Sequence, residues 1–222
     1  MIKIAIDGPG GAGKSTISRA VAAKLGIVYV DTGALYRTIG LYVRRANVSP
    51  TDREAVSACL KDIKLELKYE NGKHCVYLNG ENPGDLIRTP EMSMYASAVS
   101  AIPEVRAFLL DTQRDIAKKN SVIMDGRDIG TVILPDADVK IFLTASPECR
   151  ARRRYDELTA KGSNVKYEDV LAEMNQRDAQ DAGREVAPAT AAADAVIIDN
   201  TGLSFDESVD AVIALARKTG LV

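Results

Sequence analysis

The residues best suited to chemistry form a glycine-rich run near the N-terminus, Gly8-Pro9-Gly10-Gly11-Ala12-Gly13-Lys14-Ser15-Thr16. The run fits the pattern G-x-x-x-x-G-K-[ST]. Its glycines allow backbone N–H groups to turn toward a phosphate, and a helix starting there adds positive potential. Lys14 can reach the β- and γ-phosphates of a nucleotide, and the Ser15 hydroxyl can bind Mg²⁺. We therefore expect a nucleotide phosphate site; the alternative is a glycine-rich turn with an unrelated lysine.

The elements that position this run have the pattern of an α/β fold. A short apolar run at 2–6 precedes it, and apolar residues at helical spacing predict a helix from Lys14 to Leu25 that ends at Gly26. Buried strands are predicted at 27–30, 121–124, 139–143 and 195–198, with helices between them. This alternation predicts a mainly parallel central sheet flanked by helices on both faces.

Two segments interrupt the alternation. Apolar residues alternate with polar ones from Ile63 to Tyr69, Asn71-Gly72 is typical of a hairpin turn, and Cys75–Leu78 can return as a second strand. We therefore predict an inserted lobe at about 38–95 with a small antiparallel sheet. An arginine-rich helix–turn–helix at about 150–185 is the second insertion, which leaves residues 1–37, 96–149 and 186–222 as the core of one domain.

The C-terminal segment has a helix signal of its own. Ser204 and Glu207 have the spacing of a capping box. The helix that follows is expected to bury its apolar side chains, which are Phe205, Val209, Val212, Ile213 and Ala216.

Composition excludes several classes of protein. The chain has 222 residues and a formal net charge of −2, which argues against a general nucleic-acid or membrane-surface binder. Its three cysteines are far apart and are expected to be reduced thiols of a cytoplasmic protein. The one histidine, His74, is expected at the surface, so a histidine-based triad or metal cluster is not expected.

A second anion site is indicated directly after the second predicted strand, in the run from Asp31 to Arg37. Ligands of open parallel sheets bind at the carboxyl ends of strands, so Arg37 is expected near the correct edge. Its planar guanidinium suits a phosphate, and Tyr36 can stack on a base. The alternative is that Asp31 only caps a helix and that Arg37 is a solvated surface residue.

Asp125 to Gly130 follow another buried strand. Asp125 is placed where a Walker B carboxylate would assist a bound Mg²⁺ without ligating it directly. Arg127 and Asp128 could serve one ligand with donors and acceptors, or could form a simple ion pair.

Arg177, Asp181 and Arg184 have helical spacing and are predicted to share one face of a helix that Pro188 ends. They could bind phosphate or form a salt-bridge ladder in solvent. The Asn-Lys-x-Asp motif with which GTPases read guanine does not occur in the sequence. A small phosphotransferase with an arginine-built acceptor site is therefore the favoured class.

Together these motifs resemble the bacterial cytidylate kinase family of nucleoside monophosphate kinases. The matching segments are 4–16, Asp31 to Arg37, Ile87-Arg88-Thr89, Asp125 to Val132, and Arg177-Asp178 through Val186-Ala187-Pro188. The resemblance therefore extends over nearly the whole chain. It implies a P-loop core, a monophosphate-binding lobe and a short lid that carries arginines.

The resemblance also implies roles for individual residues. The acceptor site would comprise Thr32, Tyr36, Arg37, Ser97, Arg106, Arg127, Asp128, Arg177, Asp181 and Arg184. Within it, Ser97, Arg106 and Asp128 would read cytosine, Asp181 would approach the sugar, and Arg37, Arg127 and Arg184 would approach the acceptor phosphate.

The expected reaction is transfer of the ATP γ-phosphoryl group, with Mg²⁺, to CMP and also to dCMP. Lys14, Arg127, Arg153, Arg177 and Arg184 would neutralise the phosphates. The partners would be these small molecules, without nucleic acid or membrane, and a monomer would suffice. Three alternatives remain: a kinase for AMP, dTMP or shikimate, a nucleotide-dependent switch without a phosphorylated product, and RNA binding through the arginines at 150–154.

Overall fold

A computed structural model describes residues 1–70 and 73–222. In chain order its elements are β1 (Lys3–Asp7), α1 (Lys14–Leu25), β2 (Val28–Asp31), α2 (Thr32–Arg45), α3 (Arg53–Cys59), β3 (Leu65–Glu70), β4 (Lys73–Leu78), α4 (Pro90–Val99), α5 (Pro103–Lys119), β5 (Val122–Gly126), β6 (Val139–Thr144), α6 (Pro147–Ala160), α7 (Tyr167–Ala182), β7 (Val196–Asp199) and α8 (Phe205–Arg217). A π-helical turn, Ile129–Ile133, lies between β5 and β6.

The chain divides into two compact units. One unit comprises Met1–Ile27 with Asn120–Val222, and the other comprises Val28–Lys119. The segment predicted as an inserted lobe, 38–95, lies within the second unit, and its boundaries as a functional lobe stay a prediction. No helix among the described residues has the length and apolar character needed to cross a membrane.

The first unit contains a parallel sheet in which β1 lies between β5 and β6, and β7 pairs with β6. Ile4 and Ile6 of β1 and Ile123 of β5 are fully buried, because this part of the sheet is covered on both faces. The strands run in one direction, so their carboxyl ends share one edge. That edge carries Asp7 and Asp125.

Strand β7 differs from the prediction of a buried strand. Val196 is 44% exposed and Ile197 is 65% exposed. The strand is last in the sheet order, with β6 as its neighbour among the described residues, so its apolar side chains are only partly covered.

The predicted limits of α1 and the predicted capping box of α8 are confirmed. Gly26 ends α1 in a left-handed conformation, with φ of 67°. Ser204 and Glu207 form the capping box of α8, and Val209 and Val212 are buried. The predicted burial of Phe205 is wrong, since this residue is 50% exposed. Phe205 is the first residue of α8, and helical side chains lean toward the N-terminus, so its ring extends past the packed face.

Helix α7 ends earlier than predicted. It stops at Ala182 and is followed by Gly183, so Pro188 does not end it and Arg184 lies beyond it. Gly183 has no side chain with which to extend the packed face, and its N–H donates to the carbonyl of Ala179 as the helix closes.

The second unit packs α2 against α4. An added Cβ at Gly40 would lie 2.8 Å from the Tyr95 Cβ, so glycine permits the close approach of the two helices. Strands β3 and β4 pair antiparallel, as predicted. The predicted Asn71-Gly72 turn lies outside the described residues, and the same holds for the side chain of His74.

Candidate active site

The glycine-rich run connects β1 to α1 and has the backbone that the sequence predicts. Gly8, Gly11 and Gly13 have φ of 144°, 75° and 88°. A Cβ at Gly8 would lie 2.0 Å from the carbonyl oxygen of Leu143, so only glycine fits there. Gly13 is the N-cap of α1 and has no side chain with which to cap it. The first N–H groups of α1 are therefore suited to an anion.

Lys14 is buried at the start of α1. Its ammonium group donates to the carbonyl oxygens of Gly8 at 2.7 Å and Pro9 at 2.8 Å. Burial holds the pKa of Lys14 well below its usual value, and the charges of Arg127 and Arg177 add to this effect. An incoming phosphate would supply the negative charge that the buried ammonium lacks.

Ser15 and Asp125 provide the oxygen atoms that suit a magnesium ion. The Ser15 hydroxyl donates to the Asp125 carboxylate at 2.6 Å, and Asp125 is buried at the end of β5. A hydroxyl and a carboxylate beside a phosphate loop fit Mg²⁺, which usually takes few protein ligands together with phosphate oxygens. No group of three or more His, Cys, Asp or Glu side chains among the described residues could hold a metal.

Asp181 joins two of the predicted phosphate-binding arginines. Its buried carboxylate accepts from Arg127 Nε at 2.9 Å and from Arg184 Nη2. Burial opposes ionisation, but the charges of Arg127 and Arg184 outweigh it and hold the pKa of Asp181 below its usual value. Arg127 thus forms an ion pair with Asp181, whereas the sequence had suggested Asp128 as its ion-pair partner. The Arg127 Nη2 also lies 3.6 Å from the position of a Cβ at Gly10, so this group adjoins the phosphate loop.

Two arginines of α6 are bonded to the surroundings of the phosphate loop. Arg150 is buried and donates to the carbonyl oxygen of Gly10 at 3.0 Å and to Asp178 of α7. Arg153 donates to Asn200 through the side-chain oxygen at 3.1 Å and the carbonyl oxygen at 3.0 Å. Asn200 in turn donates to the carbonyl oxygen of Ala12 at 2.9 Å. Both of these Arg153 bonds are to neutral oxygens, so the bonds themselves do not compensate its charge.

The second unit contains a separate charged group around Asp31. This residue caps α2 by accepting from Ala34 N at 2.8 Å. It also accepts from Arg37 at 3.1 Å and from Arg88 at 2.7 Å. Burial opposes ionisation of Asp31, but the two arginines outweigh it and hold its pKa below the usual value. Asp31 thus caps a helix but does more than that, since it also accepts from two arginines, and Arg37 is mostly buried and not a solvated surface residue.

Arg37 retains unused hydrogen-bonding capacity. Its Nε is buried and has no hydrogen-bond partner among the described residues. A buried guanidinium donor of this kind favours an additional acceptor such as a phosphate oxygen.

Arg106 is packed near Tyr36 in the same unit. Its guanidinium lies 5.8 Å from the centre of the Tyr36 ring and donates to the carbonyl oxygen of Ser100 at 3.2 Å. The Ser100 hydroxyl donates to the carbonyl oxygen of Ser97 at 2.9 Å. Arg106 and Tyr36 are largely buried, as is Thr32 at the start of α2.

The predicted site residues therefore form two groups, one in each unit. The first unit holds Gly8 to Thr16, Asp125, Arg127, Asp128, Arg153, Arg177, Asp181 and Arg184, and the second holds Thr32, Tyr36, Arg37, Ser97 and Arg106. Five bonded residues of these groups were not predicted as site residues: Asp7, Arg88, Arg150, Asp178 and Asn200. Asp7, Arg88 and Asp178 lie in matching motifs and could have been selected on that basis. Arg150 and Asn200 bond to residues distant in the chain, which no local spacing indicates.

Comparisons with known proteins agree with the motifs. The family model described as cytidylate kinase matches residues 4–218. A cytidylate kinase of Caldicellulosiruptor bescii is 50% identical over 98% of this chain and 96% of its own length. One from Fervidobacterium nodosum is 49% identical over 97% of this chain and 96% of its own length.

Among solved structures, an uncharacterised protein from Eubacterium ventriosum covers 98% of both chains with a TM-score of 0.54 and 15% identity, which supports the fold alone. The family match and the identity to curated relatives, both of which span nearly the whole sequence, show that this chain belongs to the cytidylate kinase family.

Proposed function

We propose that this chain transfers the γ-phosphoryl group of ATP to the α-phosphate of CMP, and also of dCMP, giving ADP and the cytidine diphosphate. The observation that carries the proposal is its identity of 50% and 49% to cytidylate kinases over nearly the full length of both chains. The buried Lys14, the Ser15–Asp125 pair and the arginines joined by Asp181 are the groups that this reaction needs.

The main difficulty of the reaction is electrostatic. Donor and acceptor are both polyanions, and two like charges about 4 Å apart repel by several kcal/mol at an effective protein dielectric. The attacking atom is a phosphate oxygen, which is largely ionised at neutral pH because its second pKa is about 6. The reaction therefore needs positioning and charge compensation, and no general base.

The phosphate loop and Lys14 serve the donor. The N–H groups of the loop and of α1 hold the phosphate oxygens, while Lys14 exchanges its carbonyl partners for the β- and γ-phosphates. A Mg²⁺ held by Ser15, with Asp125 behind it, would compensate further phosphate charge. Arg153 and Arg177 supply positive charge as the γ-phosphoryl group moves.

The acceptor phosphate binds to arginines whose carboxylate partners pre-organise them. Arg127 and Arg184 are aligned by Asp181, and Arg37 is aligned by Asp31. Carboxylate partners limit the rotamers of these long side chains, so less conformational entropy is lost when phosphate binds. We also expect Asp181 to approach the sugar, as the family resemblance implies.

Base selection rests on three groups. Asp128 accepts from the cytosine amino group, while Arg106 and Ser97 donate to its ring nitrogen and carbonyl oxygen. Uracil reverses donor and acceptor at two of these positions, so a carboxylate would meet an acceptor, and a buried unpaired polar group is costly. CMP and dCMP should therefore react well ahead of UMP.

The experiment is a coupled assay of ADP formation with ATP, Mg²⁺ and a panel of acceptors comprising CMP, dCMP, UMP, AMP, dTMP and shikimate. We expect strong stimulation by CMP and dCMP and weak stimulation by the others. Comparable rates with UMP and AMP would contradict the base assignment. A protein that binds and slowly hydrolyses ATP without any response to CMP would be a switch, and the proposal would fail.

The proposal extends to the setting of the enzyme. We propose a cytoplasmic enzyme of pyrimidine nucleotide metabolism that acts as a monomer on small molecules, without nucleic acid or membrane partners. The formal net charge of −2 supports the absence of a nucleic-acid partner. Light scattering during gel filtration would measure the oligomeric state.

A further inference from the structure

Asp7 is a buried carboxylate to which the mechanism above gives no role. It is the last residue of β1, directly before the phosphate loop, and is only 3% exposed. Each of its oxygens accepts one backbone N–H from the turn after β5. The bonds come from Ile129 N at 2.7 Å and Gly130 N at 2.8 Å.

These two N–H groups open the π-helical turn Ile129–Ile133. The first N–H groups of any helical turn need acceptors from outside it. The residue at the N-cap position, Asp128, makes no side-chain capping bond to the turn. Asp7 thus provides, from a different strand, the capping that Asp128 does not.

The backbone of Asp7 is held independently of its side chain. Asp7 pairs with Gly126 of β5 on one side and with Phe142 of β6 on the other. A change confined to the carboxylate would therefore act on the turn and leave the phosphate loop in place. At Gly130, an added Cβ would lie 3.4 Å from Asp7 Oδ2 and 3.3 Å from the Lys140 Cδ, so the turn fits closely against Asp7.

The ionised carboxylate of Asp7 lowers the stability of the folded protein. Burial raises the pKa of Asp7 to about 6, and the charge of the nearby Asp128 adds to this rise. The two N–H bonds and the charge of Lys14 act in the opposite direction and lower the pKa. Lys140 flanks the same turn and is paired with Asp194. Because folding raises the pKa of this carboxyl group, the stability of the folded state falls as pH rises from the ordinary aspartate pKa through the folded value of about 6. A residue that costs stability at neutral pH is more easily explained by function than by folding.

We propose that Asp7 is a positioning residue, which caps the turn after β5 and so orients Arg127 and Asp128 toward the acceptor nucleotide. The inference rests on the proposed function for the identity of that acceptor. The capping of the turn by Asp7 does not depend on it.

The test is Asp7→Asn, which keeps the shape but replaces one acceptor oxygen by an NH₂ group that faces a backbone N–H. Near pH 8 we expect kcat/KM for CMP to fall at least about tenfold, while KM for ATP changes less than about twofold. Thermal stability should be unchanged or increased, because a buried charge is removed. Exchange of the Ile129 and Gly130 amide hydrogens should accelerate at least about tenfold.

The control is Asp138→Asn. Asp138 also accepts a backbone N–H of β1, that of Lys3 at 2.8 Å, but is exposed and at the opposite end of the strand. We expect wild-type kinetics and wild-type amide exchange in the turn from this variant. Unchanged exchange and unchanged CMP kinetics in Asp7→Asn would overturn the inference. A parallel loss of stability and of both substrate affinities would indicate a general structural role and would also overturn it.

The pH profile of kcat/KM distinguishes titration of the Asp7 carboxylate from titration of the substrate phosphate. The acceptor phosphate itself titrates at about pH 6, which affects wild type and Asp7→Asn equally. Protonated Asp7 resembles asparagine, so the wild-type advantage in kcat/KM for CMP should shrink as pH falls through about 6. A ratio that stays constant with pH would count against Asp7 as the titrating group. If wild type shows no response to CMP, the proposed function fails, whereas amide exchange still decides whether Asp7 orders the turn.

Discussion

Burial opposes the charged forms of Lys14, Asp31 and Asp181, and the neighbours of each residue decide the outcome. Burial lowers the pKa of Lys14 and the charges of Arg127 and Arg177 lower it further, while Asp125 and Asp7 oppose this only in part. Asp31 and Asp181 are buried too, but arginines hold their pKa values low. The groups proposed to bind phosphate thus combine an under-compensated cation with arginines that carboxylates already hold in place.

Lys14→Ala tests the cation. We expect turnover to fall about 10³-fold or more, because one preorganised charge at the transferring phosphate is lost. The fold should persist, since the change removes a buried charge, and unfolding followed by circular dichroism would verify this. Lys24→Ala is the control, because Lys24 lies on the same helix but is exposed and pairs with Asp210. Near-normal turnover of Lys14→Ala would refute the assignment.

Asp31→Asn tests the carboxylate that joins Arg37 and Arg88. Asparagine still caps a helix, so the change removes mainly the charge. We expect a loss of about 2 kcal/mol of unfolding free energy at neutral pH, because two arginines lose their partner. The pKa of Asp31 is lowered in the folded protein, so its contribution is present above the ordinary aspartate pKa and is lost as pH falls through the folded value.

Urea unfolding of wild type and Asp31→Asn at neutral and acid pH would measure this contribution. Asp52→Asn is the matched control, since Asp52 caps α3 by accepting from Ala55 N at 3.0 Å but is exposed. A pH-independent difference between wild type and Asp31→Asn would contradict the charge explanation.

Helices α6 and α7 are joined to the phosphate loop by packing and by one buried cation. Gly11 lies so close to α7 that an added Cβ would be 2.7 Å from the Met174 Cε. Arg150 donates to the Gly10 carbonyl and to Asp178 of α7. Arg177, the neighbour of Asp178, is thereby placed on a helix that is anchored to the donor site.

Asp178→Asn tests this anchor. The buried Arg150 would lose its charged partner, so we expect a loss of about 1–3 kcal/mol in unfolding free energy. KM for ATP should rise because the Gly10 carbonyl bond is weakened. Glu157→Gln removes the exposed partner of Arg154 on α6 and of Lys161 directly after it, and should cost less than about 1 kcal/mol. Equal effects of the two variants in urea unfolding would argue against a special role for the buried pair.

The whole molecule is nearly neutral, with a formal net charge of −2, yet Arg37, Arg127 and Arg184 belong to the groups proposed to bind phosphate. Local charge and not net charge should therefore govern substrate binding. Raising the salt concentration from about 0.05 M to about 0.5 M shortens the screening length several-fold, so KM for CMP should rise severalfold. Steady-state kinetics would measure this, with the thermal midpoint as a control. A KM insensitive to salt would contradict binding governed by the local charge of these arginines.

The alternation of strands and helices, the limits of α1, the antiparallel pair β3–β4 and the capping box of α8 follow from local pattern, and the structure confirms them. Such features depend on residues a few positions apart, which is the range over which propensity, periodicity and capping act. The burial of β7 was predicted wrongly because neighbours remote in the chain decide how a strand is covered. The errors at Phe205 and at the end of α7 lie at helix ends, since Phe205 is the first residue of α8 and Gly183 closes α7.

The sequence by itself determined the phosphate loop, the arginine-bearing segments and the family to which the chain belongs. Only the tertiary structure decided which distant groups meet: Asp181 with Arg127, Arg150 with Gly10, and Asp7 with the turn at Ile129 and Gly130. The Asp7 partners lie 122 and 123 positions away, so no local spacing reveals them. The physical reason is that a parallel sheet places strand ends side by side although long stretches of chain separate them.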